Sequence, residues 1–129
     1  MFGYCKSLKS VVIENGVTTI NEVAFIRCDN LERVVIPESV TVIGGSAFEF
    51  CTNLQNIVIP DNVTTIGTFA FRACTSLQNV VIPESVTYKG VTYSVTSIGE
   101  SAFEDRSGLT SITIPNSVTW IDSRAFRNC

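Results

Sequence analysis

Residues 31–53 read LERVVIPESVTVIGGSAFEFCTN, and residues 54–76, directly after them, read LQNIVIPDNVTTIGTFAFRACTS. Twelve of these 23 aligned positions are identical. Adjacent segments this similar indicate a repeat architecture in which each unit packs against its neighbours. A single unit of this size cannot bury its own apolar side chains, so the pattern predicts a stacked solenoid.

The same pattern extends over the whole chain of 129 residues, which we interpret as one domain, 1–129. It divides into a partial repeat at 1–7 and five units, at 8–30, 31–53, 54–76, 77–108 and 109–129. The partial repeat and the fifth unit leave both ends without a capping unit. Uncapped ends expose core and strand edges, so we expect the isolated chain to self-associate, either head to tail or by symmetric pairing of one end.

Each unit follows L-x-x-V-x-I-P-x-x-V-T-x-I-G-x-x-A-F-x-x-C-x-x. The β-branched residues before the proline predict a half-buried strand, and stacking these strands gives a parallel sheet along one face. Val40–Ile43 predicts a short second strand. On the other side, Phe48 and Cys51 are three residues apart, which predicts one helical or 3-10 turn that faces the core.

Two sets of positions follow from this pattern. The residue after the second strand is of a type that tolerates positive φ, which predicts a left-handed turn at Asn21, Gly44, Gly67, Gly99 and Asp122. The third unit has neighbours on both sides. We therefore expect its apolar positions to be buried: Leu54, Ile57, Ile59, Val63, Ile66, Ala70, Phe71 and Cys74.

The recurring proline, V-T-x-I-G and A-F-x-x-C resemble the leucine-rich-repeat superfamily, and specifically its BspA-like branch of bacterial and protist surface proteins. The resemblance covers nearly all of residues 2–129. It implies a curved solenoid, display on the cell surface or secretion, and a role in adhesion. It does not identify a ligand, since a leucine-rich repeat is a scaffold whose partner depends on its variable positions.

Composition excludes several classes of function. The chain has no histidine and a formal net charge of −3, so it lacks the commonest general base and a basic surface for nucleic acid. No apolar run reaches the length of a membrane span, and the first residues lack a signal-peptide layout. We therefore predict no enzymatic activity, no cofactor, no metal, no nucleic-acid partner and no membrane insertion.

The five cysteines predict neither a zinc site nor a disulfide framework. They are Cys5, Cys28, Cys51, Cys74 and Cys129, 23 or more residues apart rather than in C-x-x-C pairs, and their number is odd. The pattern favours a buried column of small apolar thiols. Cys5 and Cys129, at the ends, are expected to be the most accessible.

The fourth unit departs from the pattern in two ways. It has nine extra residues, which we assign to 88–96, with Lys89-Gly90 as a two-residue turn. They predict a β-hairpin that either projects, with Tyr88, Lys89 and Tyr93 available to a partner, or packs back on its own sheet. Arg106 replaces the cysteine, which indicates a wetter or differently packed corner.

Candidate binding residues lie at the outward positions of the sheet. They are Val12, Arg33, Val35, Asn56, Val58, Asn79, Val81 and Thr113, which would form one continuous surface across the units. The alternative is that β-branched residues there reflect only strand preference. Trp120 is a further candidate, with Phe50 and Phe69 at other variable positions, although Trp120 could instead pack against a following unit.

Two hypotheses of function follow. The first is a non-enzymatic module that binds a protein or a glycan, as a segment of an adhesin-like surface protein. The second is a spacer solenoid that has no ligand of its own.

Overall fold

The computed structural model describes residues 2–84, 86–88 and 90–129. The chain forms two five-stranded sheets, and the strands within each sheet are parallel, as predicted. Each of the five units contributes one short strand to each sheet. The first sheet consists, in order, of β1 (Ser10–Val12), β3 (Arg33–Val35), β5 (Asn56–Val58), β7 (Asn79–Val81) and β11 (Ser111–Thr113). The second consists of β2 (Thr19–Ile20), β4 (Val42–Ile43), β6 (Thr65–Ile66), β10 (Ser97–Ile98) and β12 (Trp120–Ile121). A hairpin joins β8 (Val86–Tyr88) to β9 (Val91–Tyr93).

Neighbouring strands pair at the repeat spacing. Arg33 pairs with Ser10 on one side and with Asn56 on the other. In the fourth unit, Ser97 pairs with Thr65 and so restores the register after the insertion.

The insertion begins two residues earlier than the sequence suggested. Val95 is fully buried, as Val63 is in the third unit, and the Thr96 amide donates to the carbonyl of Thr64. Val95 and Thr96 therefore occupy the regular positions of the repeat. The nine extra residues are 86–94 rather than 88–96.

The core lies between the two sheets and the turns that connect them. The eight core residues predicted for the third unit are confirmed, since none is more than 2% exposed. Phenylalanine rings stack along the solenoid axis, with centroids 5.3–5.8 Å apart and interplanar angles of 3–12°: Phe2, Phe25, Phe48, Phe71, Phe103 and Phe126. This column makes the core continuous from unit to unit.

The prediction of a helical or 3-10 turn is wrong, because the described residues contain no helix. Phe48 and Cys51 both face the core as expected, but successive amides bond in different directions. The Ala47 amide donates to Gly44 O within the unit, whereas the Phe48 amide donates to Ala70 O of the next unit at 2.8 Å. A helix uses consecutive amides for its own turns. Here every second amide joins neighbouring units, so the segment forms a series of β-turns.

The left-handed residues lie two positions later than predicted. Positive φ is absent at Asn21, Gly44, Gly67, Gly99 and Asp122. It occurs instead at Ser46 and Phe50, the third residues of two successive turns, where a type II turn requires it. The equivalent residues in other units also have positive φ: Tyr4, Val23, Arg27, Phe69, Ala73, Ser101, Asp105, Arg124 and Asn128.

Gly44 and Gly67 are explained by close approach to the backbone of the preceding unit and not by positive φ. A Cβ on Gly67 would lie 2.7 Å from the amide nitrogen of Gly45, and one on Gly44 would lie 2.7 Å from that of Glu22. Real Cβ atoms do not approach backbone this closely, so these positions require glycine. Asn21 avoids the contact because, within the described part of the chain, no strand lies beyond β2 in the second sheet.

The fourth unit contains the predicted β-hairpin. Thr87 pairs with Thr92, their hydroxyl oxygens 3.0 Å apart, and Tyr88 pairs with Val91. Gly90 in the connection has a φ of 77°, as tight hairpin turns require. Thr87, Thr92 and Val91 are exposed, and among the described residues β8 and β9 contact no other strand. The hairpin therefore projects from the solenoid.

Candidate functional site

The open face of the first sheet presents two columns of side chains. In β3, β5 and β7 the middle residue is buried and the outer two are exposed, so the first and third residues of each strand face outwards. One column is polar and consists of Ser10, Arg33, Asn56, Asn79 and Ser111. The other is mainly apolar and consists of Val12, Val35, Val58, Val81 and Thr113. We call these ten exposed residues the sheet-face site; their role in binding stays a prediction.

The apolar column extends over four units, with direct pairing within two pairs of valines. Val12 pairs with Val35, and Val58 pairs with Val81. The exposed fractions are 71% for Val12 and 66% for Val58, against 38% for Val35. Singly exposed valines are common on protein surfaces, whereas a row of them on one flat sheet is typical of an interaction surface.

The sheet loosens between β3 and β5. The Ile13 amide donates to Val35 O at 3.0 Å, and the Ile59 amide donates to Val81 O at 3.3 Å. Between β3 and β5 only Arg33 and Asn56 pair, whereas three residue pairs form between β1 and β3 and between β5 and β7. A shallow depression of about 430 Å³ lies here, and its lining includes Arg33, Val35, Asn56 and Val58. This depression places a cation, a carboxylate, two amides and two exposed valines around one concave surface: Arg33, Glu32, Gln55, Asn56, Val35 and Val58.

The other predicted site residues do not join this surface. Tyr93 is half-buried in the hairpin. Lys89 and the side chain of Tyr88 lie outside the described residues. Trp120 is 64% exposed, but it belongs to the second sheet, where it pairs with Ser97.

A cluster on the turns was missed by the sequence interpretation. The Arg27 guanidinium lies 4.3 Å from the centre of the Phe50 ring, and that of Arg72 lies 5.2 Å from the Phe69 ring. Arg72 also pairs with buried Glu49 at 3.3 Å. We call Arg27, Glu49, Phe50, Phe69 and Arg72 the turn-face cluster.

The sequence does carry a signal for this cluster, because the charge alternates in sign at one position of the repeat. Glu49, Arg72, Glu104 and Arg127 occupy equivalent positions in four consecutive units. Arg72 bridges Glu49 and Glu104 at 3.3 and 3.4 Å, and Arg127 pairs with Glu104 at 3.4 Å. These charges pair with one another across the unit boundaries, so the alternation links neighbouring units.

The cysteine column is a column of hydrogen-bond donors. All five thiols are free, and Cys28, Cys51 and Cys74 are buried, whereas Cys5 is half-buried and Cys129 exposed. The Cys51 thiol donates to Phe25 O at 3.2 Å, and the Cys74 thiol donates to Phe48 O at 3.0 Å. Burial raises the pKa of Cys74 to about 12 and also raises that of Cys51. The buried thiols therefore stay protonated and are poor nucleophiles.

Arg106 fills the cysteine position of the fourth unit. Its side chain is fully buried rather than wetter, and it donates to Phe71 O at 3.4 Å and to Leu77 O at 3.1 Å. Burial lowers the pKa of this guanidinium. Since Cys129 again donates to Phe103 O, the arginine interrupts the column at one unit only.

The described residues hold no group of three or more cysteines and carboxylates arranged to bind a metal ion. In the same part of the chain, no helix has the length and apolar character needed to cross a membrane.

Two solved structures of leucine-rich repeat proteins are similar to this chain. A crystal structure of a leucine rich repeat protein from T. pallidum is 36% identical, with a TM-score of 0.84, and the match covers 95% of this chain and 55% of that one. The structure of a leucine-rich repeat protein from Bacteroides ovatus is 24% identical, with a TM-score of 0.66 over 100% of this chain and 37% of that one, and it shows the fold alone. This chain thus spans about half or less of these proteins. No curated protein matches the chain significantly.

The family described as BspA type leucine rich repeat region matches residues 1–129 in six copies. The chain belongs to the BspA-type leucine-rich repeat family.

Proposed function

We propose that the chain is a non-enzymatic recognition module of a cell-surface protein, and that it binds a protein or glycan ligand through the sheet-face site. The observation that supports this most is the continuous outward column of valines beside a polar column. A ligand laid across the strands would meet both columns in every unit.

The depression between β3 and β5 is the proposed centre of the site. Among its lining residues, Arg33 and Asn56 offer hydrogen-bond donors, and Val35 and Val58 offer apolar surface. Binding energy concentrates where apolar anchors are surrounded by satisfied polar groups. An extended polypeptide segment or a glycan chain has both chemistries along its length.

The test is a binding screen of the chain against extracellular-matrix proteins and glycans, followed by matched variants. Val58→Arg places a charge on the sheet-face site, where Val58 is 66% exposed, and Val91→Arg places it on the hairpin, where Val91 is 52% exposed. We expect Val58→Arg to weaken binding at least about tenfold and Val91→Arg to leave it unchanged. Both variants are first checked for an unchanged melting temperature.

Two outcomes would contradict the proposal. Loss of binding in Val91→Arg alone would move the site to the hairpin. No binding to any probe would favour a spacer solenoid without a ligand of its own.

A further inference from the structure

In the third and fourth units the open face of the first sheet carries no charge. Its exposed residues there are four carboxamides and two valines, which we call the neutral patch: Gln55, Asn56, Val58, Gln78, Asn79 and Val81. At the equivalent positions the first two units contain Lys9, Glu32 and Arg33. In the fifth unit these positions are again uncharged and hold Thr110, Ser111 and Thr113. The sheet face therefore changes from charged to neutral along the solenoid.

The neutral patch repeats the same kinds of side chain at one strand spacing. Asn56 and Val58 of β5 pair with their equivalents in β7, and the Gln78 amide donates to Gln55 O at 3.1 Å. Val58 is 66% exposed and Val81 is 54% exposed. Each unit thus presents two carboxamides and a valine, about 4.8 Å from the same three groups of its neighbour.

The carboxamides of the neutral patch are not used within the fold. Other asparagines link the units: the Asn53 side chain donates to Asn30 Oδ1, and that of Asn62 donates to Glu38 O. Every carboxamide hydrogen bond in the described part of the chain belongs to asparagines outside the patch. The patch therefore holds four polar groups whose donors and acceptors are available to a ligand.

The chemistry of these groups fits a sugar. A carboxamide places a donor beside an acceptor, whereas an ammonium or guanidinium only donates and a carboxylate only accepts. A sugar hydroxyl also donates and accepts, so neighbouring hydroxyls of one ring can bond to both atoms of a carboxamide. The valines offer apolar surface to the C–H groups of the ring. Because the patch is neutral, it provides no electrostatic attraction for a charged ligand.

Two features of the neutral patch disfavour a polypeptide ligand. In the first sheet β5 lies between β3 and β7, and β7 lies between β5 and β11. Both edges of these strands are therefore already paired, and an extended segment cannot add to them as a further strand. The patch also lacks the tryptophan, tyrosine and arginine side chains that dominate binding between proteins. A glycan requires neither feature.

We propose that the neutral patch binds an uncharged glycan whose chain runs across the strands. This inference rests on the proposed function, because Asn56 and Val58 belong to the sheet-face site, and it names the class of ligand. Successive sugars of a repeating glycan would meet the same groups on β5 and β7, since the units repeat. These contacts are hydrogen bonds and apolar contacts, so the affinity should depend little on salt.

The probes are four uncharged polysaccharides and two charged ones, measured by biolayer interferometry on the immobilised 129-residue chain. The uncharged probes are an α-glucan, a β-glucan, a mannan and a galactan, and the charged probes are heparin and hyaluronan. Each is measured at two NaCl concentrations that differ about tenfold. We expect at least one uncharged polysaccharide to bind saturably, with a change in affinity of less than about twofold between the two concentrations.

Matched variants locate the binding site. Asn79→Asp keeps the size of the side chain, replaces its donor by an acceptor and adds a charge, so binding should weaken at least about tenfold. Gln78→Glu makes the same change beside the strand and should have the same effect. Asn116→Asp makes it at an exposed position, where Asp61 stands in the third unit, and should leave binding unchanged. All three variants are first checked for an unchanged melting temperature.

The outcomes separate this inference from the proposed function. Binding of only a protein or a charged glycan, lost in Val58→Arg, would retain the proposed function and overturn the neutral glycan. No binding of any probe would overturn both. An uncharged polysaccharide that binds Asn79→Asp as tightly as the parent chain would overturn the assignment to the neutral patch. A fall in affinity of tenfold or more at the higher salt concentration would overturn it as well.

Discussion

The third and fourth units fill the same core position with different side chains. In the third unit the Cys74 thiol donates to Phe48 O of the unit before. In the fourth, the Arg106 guanidinium reaches the equivalent carbonyl, Phe71 O, and also Leu77 O. Both side chains are fully buried. Each phenylalanine carbonyl also accepts a backbone amide, so the side chain at this position supplies a second donor, and either a thiol or a guanidinium provides it.

The Cys74 thiol and the Arg106 guanidinium differ in whether they leave buried polar atoms without a hydrogen-bond partner. The thiol is neutral, and its raised pKa keeps it so. The guanidinium is buried without a carboxylate partner among the described residues, and its Nε has no hydrogen-bond partner there. Ser101 Oγ of the same unit also lacks a partner in that part of the chain. Among the described residues the third unit has one such atom, Arg72 Nε, against two in the fourth. Unpaired buried polar groups are destabilising, so we expect the fourth unit to be weaker than the third.

The largest expected effect tests what the two units share, the phenylalanine column. Phe71→Ala removes a fully buried ring that stacks on both Phe48 and Phe103. We expect a loss of about 3–5 kcal/mol in the free energy of unfolding, from the lost transfer energy and the cavity, measured by urea denaturation. Phe50→Ala, half-exposed outside this column, is the control and should cost about 1 kcal/mol or less. A loss under about 1 kcal/mol for Phe71→Ala would contradict the column.

A smaller expected effect on the free energy of unfolding tests how the third and fourth units differ. Arg106→Ala leaves Leu77 O without a donor among the described residues and leaves Phe71 O with the Cys74 amide alone. We expect it to cost about 1–3 kcal/mol. Arg106→Cys restores the donor found in the other units and removes the buried charge, so it should be more stable than Arg106→Ala by about 1 kcal/mol. Urea denaturation of the three proteins measures both differences. Equal stability of the two variants would mean that the position requires volume and not a donor.

The repeat period made the fold predictable. Inward positions such as Leu54 and Val63 recur every 23 residues, and any stacking that buries them produces the two sheets. The hairpin was also predictable, because Val86-Thr87 recurs as Val95-Thr96 around a turn dipeptide. Its bounds were not, since either copy could occupy the regular position until burial identified Val95.

The predictions that are wrong concern features that depend on contacts between units. Gly44 and Gly67 were assigned to a left-handed turn, because glycine permits positive φ, but they serve close approach to the preceding backbone. The helical turn failed because the Phe48 amide bonds to the next unit. Exposure of the sheet-face site follows from strand alternation, whereas the loosened pairing between β3 and β5 has no signature in single residues.

The smallest expected effect is the pH dependence of stability that arises from the buried Cys74 thiol. Burial raises the pKa of the Cys74 thiol from its ordinary value near 9 to about 12. Below pH 9 the thiol is protonated in both states, so its contribution to stability is fully present. As the pH rises from about 9 to about 12, the unfolded chain loses this proton while the folded chain keeps it, and stability falls. One unit above the unfolded pKa, this loss is about 1.4 kcal/mol.

Because other groups also titrate in this range, the measurement is a difference between variants. Urea denaturation at pH 8 and pH 10 should show a smaller fall in the free energy of unfolding for Cys74→Ala than for the parent chain. Cys5→Ala removes a thiol that the core only partly encloses and should retain most of the parent's fall. An equal fall in all three proteins would mean that the Cys74 thiol ionises within the folded core as readily as in the unfolded chain. That result would contradict the burial of the Cys74 thiol in the folded chain, because burial favours its protonated form.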